Sequence, residues 1–230
     1  MQSLLDTLHN RQWLWQGAIQ QQKQHVCRSG YQELDDKIIG GLPETGVIEI
    51  RTANGIGELR AILPYLQQRQ DKGVIVFIAP PAMIGSEFLH HHQIDTDNIL
   101  LLTPTPNDAL WCAEQCLKSG SCASVMLWHQ EFEVFQVRRL NLAAEQGQAS
   151  LFIYRQSRAS YNLPVSLSLS FEADKAGLNV TVNRCKAGKP SQPFSVNMAR
   201  LWPDFVCLPT ANNVVSLSGY QRANANQRVS

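Results

Sequence analysis

The chain has 230 residues, 44% of them hydrophobic and 17% charged, with a formal net charge of +1. That is enough apolar material for one α/β domain with a sizeable core, and it excludes a highly charged disordered chain. No apolar run approaches the roughly 20 residues of a membrane-spanning helix, and segment 1–15 lacks a basic start followed by a continuous apolar stretch, so a cytoplasmic protein is expected.

Leu4, Leu5, Leu8, Leu14 and Trp15 give segment 3–22 a partly helical apolar spacing. Residues 1–26 are therefore read as a helical interaction segment, with Trp13 and Trp15 as candidate partner-binding residues. Both offer the large, rigid apolar area suited to binding hot spots, although covering the protein's own core is an equally good use for them. A turn with a short helix is expected over 29–36, a loop over 40–43, and a short strand over 47–50. Segment 57–70 reads as a helix that Pro64 should kink or restart, because proline lacks a backbone N–H.

Two further apolar runs, 74–78 and 98–102, read as buried strands of a parallel sheet, and 123–128 reads as the next strand. A fourth strand follows at 149–154. Helices are expected between them over 84–91, 108–118 and 133–146, the second with Asn107 as its N-cap. Strands alternating with helices imply a mostly parallel sheet flanked by helices. After Leu163 the pattern becomes strictly alternating, with Leu167, Leu169 and Phe171 on one face. Segments 165–171 and 178–183, joined by a turn at 174–177, then form an antiparallel hairpin with one wet face. Segment 209–230 is polar and reads as a disordered tail, leaving 27–208 as the domain.

Charge is unevenly spread. Residues 1–137 hold 9 Lys/Arg and 15 Asp/Glu, a balance of −6, and residues 138–230 hold 11 and 4, a balance of +7. A basic C-terminal half suits an acidic or polyanionic partner, unless the halves offset each other within one fold. Arg184, Lys186 and Lys189 on the turn after the hairpin are the candidate basic contacts, with Arg155 and Arg158 after the preceding strand. Cys112, Cys116 and Cys122 match no zinc spacing and read as buried free thiols. His90, His91 and His92 lack a carboxylate or cysteine partner in the sequence and read as a solvated loop.

The segment 49–60 carries the chemistry. Its strand, glycine-bearing turn and helix have the layout of a phosphate-binding loop, but Gly55 and Gly57 are followed by Glu58 and Leu59. The positions of the phosphate lysine and the magnesium hydroxyl thus hold a carboxylate and a leucine. A carboxylate there repels a triphosphate. No cofactor or metal is expected, and no Gly-x-Ser-x-Gly nucleophile pattern occurs. Glu131 and Glu133 read as a solvated turn.

Segments 29–35 and 40–50 resemble the lead-in to the phosphate loop of the RecA superfamily. Segments 94–101, 118–128, 151–156 and 183–194 resemble its later strands, its sensor glutamine (Gln156) and its terminal hairpin. The resemblance covers about residues 27–200 and implies a RecA-like core. On this alignment Pro81 stands where the water-activating glutamate would be, and His129 falls near the magnesium aspartate. Both replacements oppose ATP hydrolysis.

Segment 55–64, Trp111 with Glu114, Gln115 and Leu117, and segment 138–147 are similar to the ImuA family of degenerate RecA relatives. That resemblance implies a non-catalytic accessory protein of SOS-induced mutagenic translesion synthesis. Its implied partners are an ImuB-type protein and an error-prone polymerase, then RecA and DNA, with nucleoid association when engaged. Inhibitors of cell division of the SulA type share the middle of the pattern, including 78–81, and imply binding to FtsZ instead.

Overall fold

In the computed structural model, residues 25–156, 162–186 and 188–203 are described. The expected N-terminal helix with Trp13 and Trp15, Arg158 and the expected polar tail lie outside the described residues.

Each expected run forms its strand. In chain order these are β3 (Gly46–Arg51), β4 (Val74–Ile78), β5 (Ile99–Leu102), β6 (Cys122–Trp128) and β7 (Ser150–Arg155), followed by the hairpin β8 (Leu167–Asp174) and β9 (Gly177–Cys185). Two short strands, β1 (Val26–Cys27) and β2 (Leu42–Pro43), pair separately, and β10 (Phe194–Asn197) closes the hairpin edge. The helices are α1 (Gln32–Asp35), α2 (Glu58–Arg69), α3 (Ser86–His91), α4 (Ala109–Lys118) and α5 (Val134–Gln146).

The main sheet has eight strands in the order β10-β9-β8-β3-β7-β6-β4-β5. The six from β8 to β5 are parallel, and β9 and β10 add antiparallel pairs. The result is a mixed α/β fold with a mostly parallel sheet, flanking helices and a C-terminal hairpin. Side chains alternate across a strand, and the sheet accordingly divides two cores. On one face Ile48, Ile50, Phe77, Phe152 and Tyr154 pack with Ile62 and Leu66 of α2 and with Trp202. On the other, Val47, Val76, Val125, Leu151 and Ile153 pack with Ala113 and Leu117 of α4 and Val137 and Leu140 of α5.

Four expectations are corrected. The run at β5 is an edge strand, so Leu100 and Leu101 are exposed; an edge lacks the second neighbour that would bury it. The N-cap of α4 is Asp108, with Thr105 Oγ1 donating to its carboxylate at 2.6 Å. His90 and His91 belong to the last turn of α3, and the ring of His92 lies 4.2 Å from that of Trp202, so the triplet is no solvated loop. Burial first, then His91 and Arg60, lower the His92 pKa.

The fourth concerns Pro64. Helix α2 runs from Glu58 to Arg69 with Pro64 inside it. Proline frees the carbonyl four residues earlier, that of Arg60, and the Tyr31 hydroxyl donates to this carbonyl at 3.3 Å. The same hydroxyl accepts from Trp202 Nε1 at 2.8 Å. Gly30 makes the approach possible: its φ is +90°, and a Cβ there would stand 2.6 Å from Pro64 Cβ. One proline thus ties the lead-in segment and the C-terminal segment to the same helix.

Candidate functional site

The loop 52–57 leaves the carboxyl end of β3, where open parallel sheets place their ligands. Gly55 and Gly57 adopt left-handed φ values of +82° and +103°. Only glycine takes such values freely, and together they turn successive N–H groups into one concavity, an anion-binding nest. Gly57 is also the N-cap of α2, so the positive end of the helix dipole adds to it.

An anion is already there. The Glu58 carboxylate turns back into the loop, where Gly55 N–H donates to its Oε1 at 3.0 Å and its Oε2 at 3.1 Å. Gly57 N–H donates to Oε2 at 3.1 Å. Glu58 is only 6% exposed, so the contact is sheltered from water. From sequence, Glu58 is an obstacle to a phosphate; in the folded chain it also satisfies the backbone donors that a phosphate would have satisfied. Leu59 packs against the core of the α2 face.

An aromatic stack stands on the α2 face of the sheet, on strands β4, β6 and β7. The rings of Trp128 and Tyr154 are 4.5 Å apart and nearly parallel, and Phe77 continues the stack at 6.3 Å from Trp128. The Tyr154 hydroxyl is buried and makes no hydrogen bond among the described residues. Burial chiefly, and the nearby Glu58 carboxylate next, push its pKa up. Pro81, His129 and Gln156 follow the carboxyl ends of the parallel strands β4, β6 and β7. Pro81 is exposed. His129 is half-buried with its ring 5.1 Å from Phe132, and burial lowers its pKa. Gln156 is exposed, and its backbone N–H donates to Gln130 Oε1 at 2.8 Å.

The five basic candidates are not one surface. Arg184, Lys186 and Lys189 are exposed around the end of β9. Arg155 is instead 3% exposed, and its Nη1 donates to Glu49 Oε1 at 2.7 Å. Glu49 is fully buried and also accepts from Ser168 Oγ at 2.6 Å, while Arg51 Nε lies 3.2 Å from Glu49 Oε2. This polar centre went unseen in the sequence. Its signal was available: a carboxylate inside the apolar run 47–50, and an arginine closing the apolar run 151–154.

A β-bulge feeds the centre. The β8–β9 register shifts between Ser168, opposite Arg184, and Leu169, opposite Val182. The extra residue, Asn183, donates from Nδ2 to Ser170 Oγ at 2.8 Å and to Ser168 Oγ at 3.4 Å.

Exposed apolar residues stand elsewhere. Trp111 on α4 is 60% exposed, and Phe135 and Leu142 on α5 are 54% and 58% exposed. Cys112 and Cys116 are half-buried and free, not fully buried as expected, whereas Cys122 is buried. Among the described residues no group of three His, Cys, Asp or Glu is placed to hold a metal ion, and no helix is long and apolar enough to cross a membrane.

A mixed α/β protein with a phosphate-type loop, filled from within, is the class these observations define. No protein-family model matches the chain. Over 92 residues, 40% of this chain, it is 33% identical to the cell division inhibitor SulA of Pseudomonas aeruginosa, covering 57% of that protein. The chain thus spans a little over half the length of the curated relative it matches. The crystal structure of that SulA superposes with a TM-score of 0.40 at 27% identity, covering 47% of this chain and 97% of that one. The chain therefore shares partial similarity with a SulA-type cell division inhibitor.

Proposed function

We propose that this protein is a non-catalytic accessory factor of the DNA-damage (SOS) response that works by binding other proteins. Its specific task in this reading is mutagenic translesion synthesis, in contact with an ImuB-type polymerase homologue and an error-prone polymerase, with RecA and DNA as further partners. The observation that carries the reading is the Glu58 carboxylate seated on the Gly55 and Gly57 N–H groups. A loop occupied in this way has its Gly55 and Gly57 N–H groups engaged and a carboxylate where a triphosphate would sit, which moves the function to the surfaces. The exposed Trp111, Phe135 and Leu142 supply apolar surface of the kind that binds proteins.

A second reading, inhibition of cell division by binding FtsZ, is favoured by the 92-residue similarity to SulA.

One pair of experiments decides. Deleting the gene should lower damage-induced mutation frequency while unstressed growth is unchanged, and overexpression should leave cell length normal. Filamentous cells on overexpression, with mutation frequency untouched by deletion, would replace the first reading by the second. Calorimetric titration with Mg·ATP should give no saturable heat; a low-micromolar dissociation constant would remove the basis of the first reading.

A further inference from the structure

We propose that Cys116 and Cys122 are a redox-responsive dithiol, a modification site at which a peroxide-class oxidant closes a disulfide between the end of α4 and the start of β6. Cys116 lies in the last turn of α4, Cys122 opens β6, and only the turn 119–121 separates helix from strand. Ser119 bridges the two residues. Its Oγ donates to the Cys116 carbonyl at 2.7 Å and lies 3.8 Å from the Cys122 sulfur. The Ser121 N–H donates to the same Oγ at 3.1 Å, which tightens the turn further. Cys112 stands one helical turn before Cys116, and both pack on the core cluster that contains Cys122, so all three thiols lie on one side of the sheet.

The turn is gripped by its neighbours. A Cβ on Gly147 would collide with the Leu117 carbonyl oxygen, and one on Gly73 with the Ser121 carbonyl oxygen. Backbone thus packs on the turn from two sides and holds the helix end against the strand start. Between the sulfurs, Cys116 keeps its proton and hydrogen-bonds to Cys122. This bond first, opposed by burial and helped by Ser119, lowers the Cys122 pKa to about 7. The same bond, then burial, pushes the Cys116 thiol up. The pair therefore divides into a thiolate, the form that attacks an oxidant, and a neighbouring thiol that resolves the product. Cys122 is 8% exposed, an opening that suits an oxidant as small as hydrogen peroxide.

The chemistry runs in two steps. The Cys122 thiolate attacks one peroxide oxygen; an S–O bond forms, the O–O bond breaks, and hydroxide leaves to take up the proton that Cys122 has lost. The Cys116 sulfur then attacks the Cys122 sulfenic acid at sulfur. The S–S bond forms, the S–O bond breaks, and the hydroxyl departs as water with the Cys116 proton. Two thiols are oxidised by two electrons in all, and one peroxide becomes two waters. In a reducing compartment a pair of this kind is a transient sensor and not a structural staple. The site does not depend on which partner the protein binds.

The test uses the full chain, reduced, freed of reductant and treated with hydrogen peroxide. Remaining thiols are alkylated, monomer is separated on a non-reducing gel, and tryptic peptides are read by mass spectrometry. Trypsin cuts after Lys118, which separates 73–118, holding Cys112 and Cys116, from 119–138, holding Cys122. Peroxide should join these two peptides, and dithiothreitol should part them. Cys112→Ser should keep the joined pair, while Cys116→Ser and Cys122→Ser should each lose it. In Cys116→Ser the oxidation stops at the first step, so dimedone should trap a sulfenic acid on Cys122. Alanine replaces serine in the same readout if a serine variant does not fold. Peptides that stay apart, a pair found only in a disulfide-linked dimer, or a pair that survives Cys116→Ser or needs Cys112 would each overturn the proposal.

Discussion

Ser168 and Arg184 face each other across the hairpin, yet the charges beside them live in opposite conditions. On the Ser168 side, Glu49 and Arg155 are withdrawn from water and paired with each other. On the Arg184 side, Arg184, Lys186 and Lys189 stand in solvent, with no ion pair found for them among the described residues. The bulge at Asn183 separates the two regimes. A residue's charge thus says little about its role until its burial is known: the buried pair is committed to the fold, and only the exposed cluster is free to meet a partner.

Breaking the buried side should have the largest effect. Glu49→Ala leaves the Arg155 guanidinium buried without its carboxylate, and removing one member of a buried pair costs about 3–5 kcal/mol. Urea denaturation should show the midpoint fall accordingly. A loss under 1 kcal/mol, on the order of an exposed pair, would mean that Arg155 finds water and that the two sides are not distinct.

Gly30 comes next, since it has no charge and tests packing and backbone conformation without electrostatics. Gly30→Ala places a methyl 2.6 Å from Pro64 Cβ at a φ of +90°. Overpacking with an unfavourable φ should cost about 1–3 kcal/mol in thermal or urea unfolding. Tyr31→Phe removes the donor to the Arg60 carbonyl and the acceptor for Trp202 and should cost a similar amount. Burial pushes the Tyr31 hydroxyl up to about 12, so this link should be insensitive to pH through the neutral range.

Between the two extremes lies Glu114, which joins α4 to α5. Its carboxylate meets Lys118 Nζ at 2.7 Å and also Arg139 Nη2. The Lys118 hydrogen bond, then Arg139 against the opposing effect of burial, lower its pKa below the ordinary 4.5. A depressed carboxylate contributes stability that is full above 4.5 and lost as pH falls through the folded value. Lys118 and Arg139 are about half exposed or more, so water screens the pairs and the amount is on the order of 0.5 kcal/mol. Comparing Glu114→Gln with the native chain across pH 3–7 should show a difference that closes on the acid side. A difference persisting undiminished down to pH 3 would assign the effect to packing.

How legible was all this in the sequence? The strands were, because runs such as 74–78 and the alternation at 167–171 report burial on two faces or one. What failed depended on neighbours. Run 98–102 looks like the other apolar runs, and only strand order shows it to be the edge. Pro64 reads as a restart of the helix because Tyr31, which uses the freed carbonyl, is 29 residues away. Glu58 was marked from sequence as the end of phosphate chemistry; that it folds back onto Gly55 and Gly57 needs the loop's coordinates. Arg155 was grouped with the basic surface because an arginine after a strand is ordinarily exposed, and its partner Glu49 is 106 residues away.

The exposed side should respond least in stability and most in binding. Charge reversal of Arg184 and Lys186 to glutamate alters side chains in solvent, so unfolding free energy should stay within about 0.5 kcal/mol of the native value. The Lys186 backbone N–H, which donates to the Ser166 carbonyl at 2.9 Å, is retained by any side chain. If the cluster meets nucleic acid, single-stranded or duplex DNA should bind the native chain with a steep salt dependence and little sequence preference, because phosphate contacts release counterions and read no bases. The double reversal should then lower both affinity and the salt slope, by close to one contact per residue. If the cluster meets an acidic protein surface instead, DNA binding is absent in both proteins, and co-purification of the partner from damaged cells is lost in the variant alone. Should DNA binding and co-purification both survive the double reversal, the hairpin cluster is ordinary solvated surface, and the search for the interface moves to Trp111, Phe135 and Leu142 on α4 and α5.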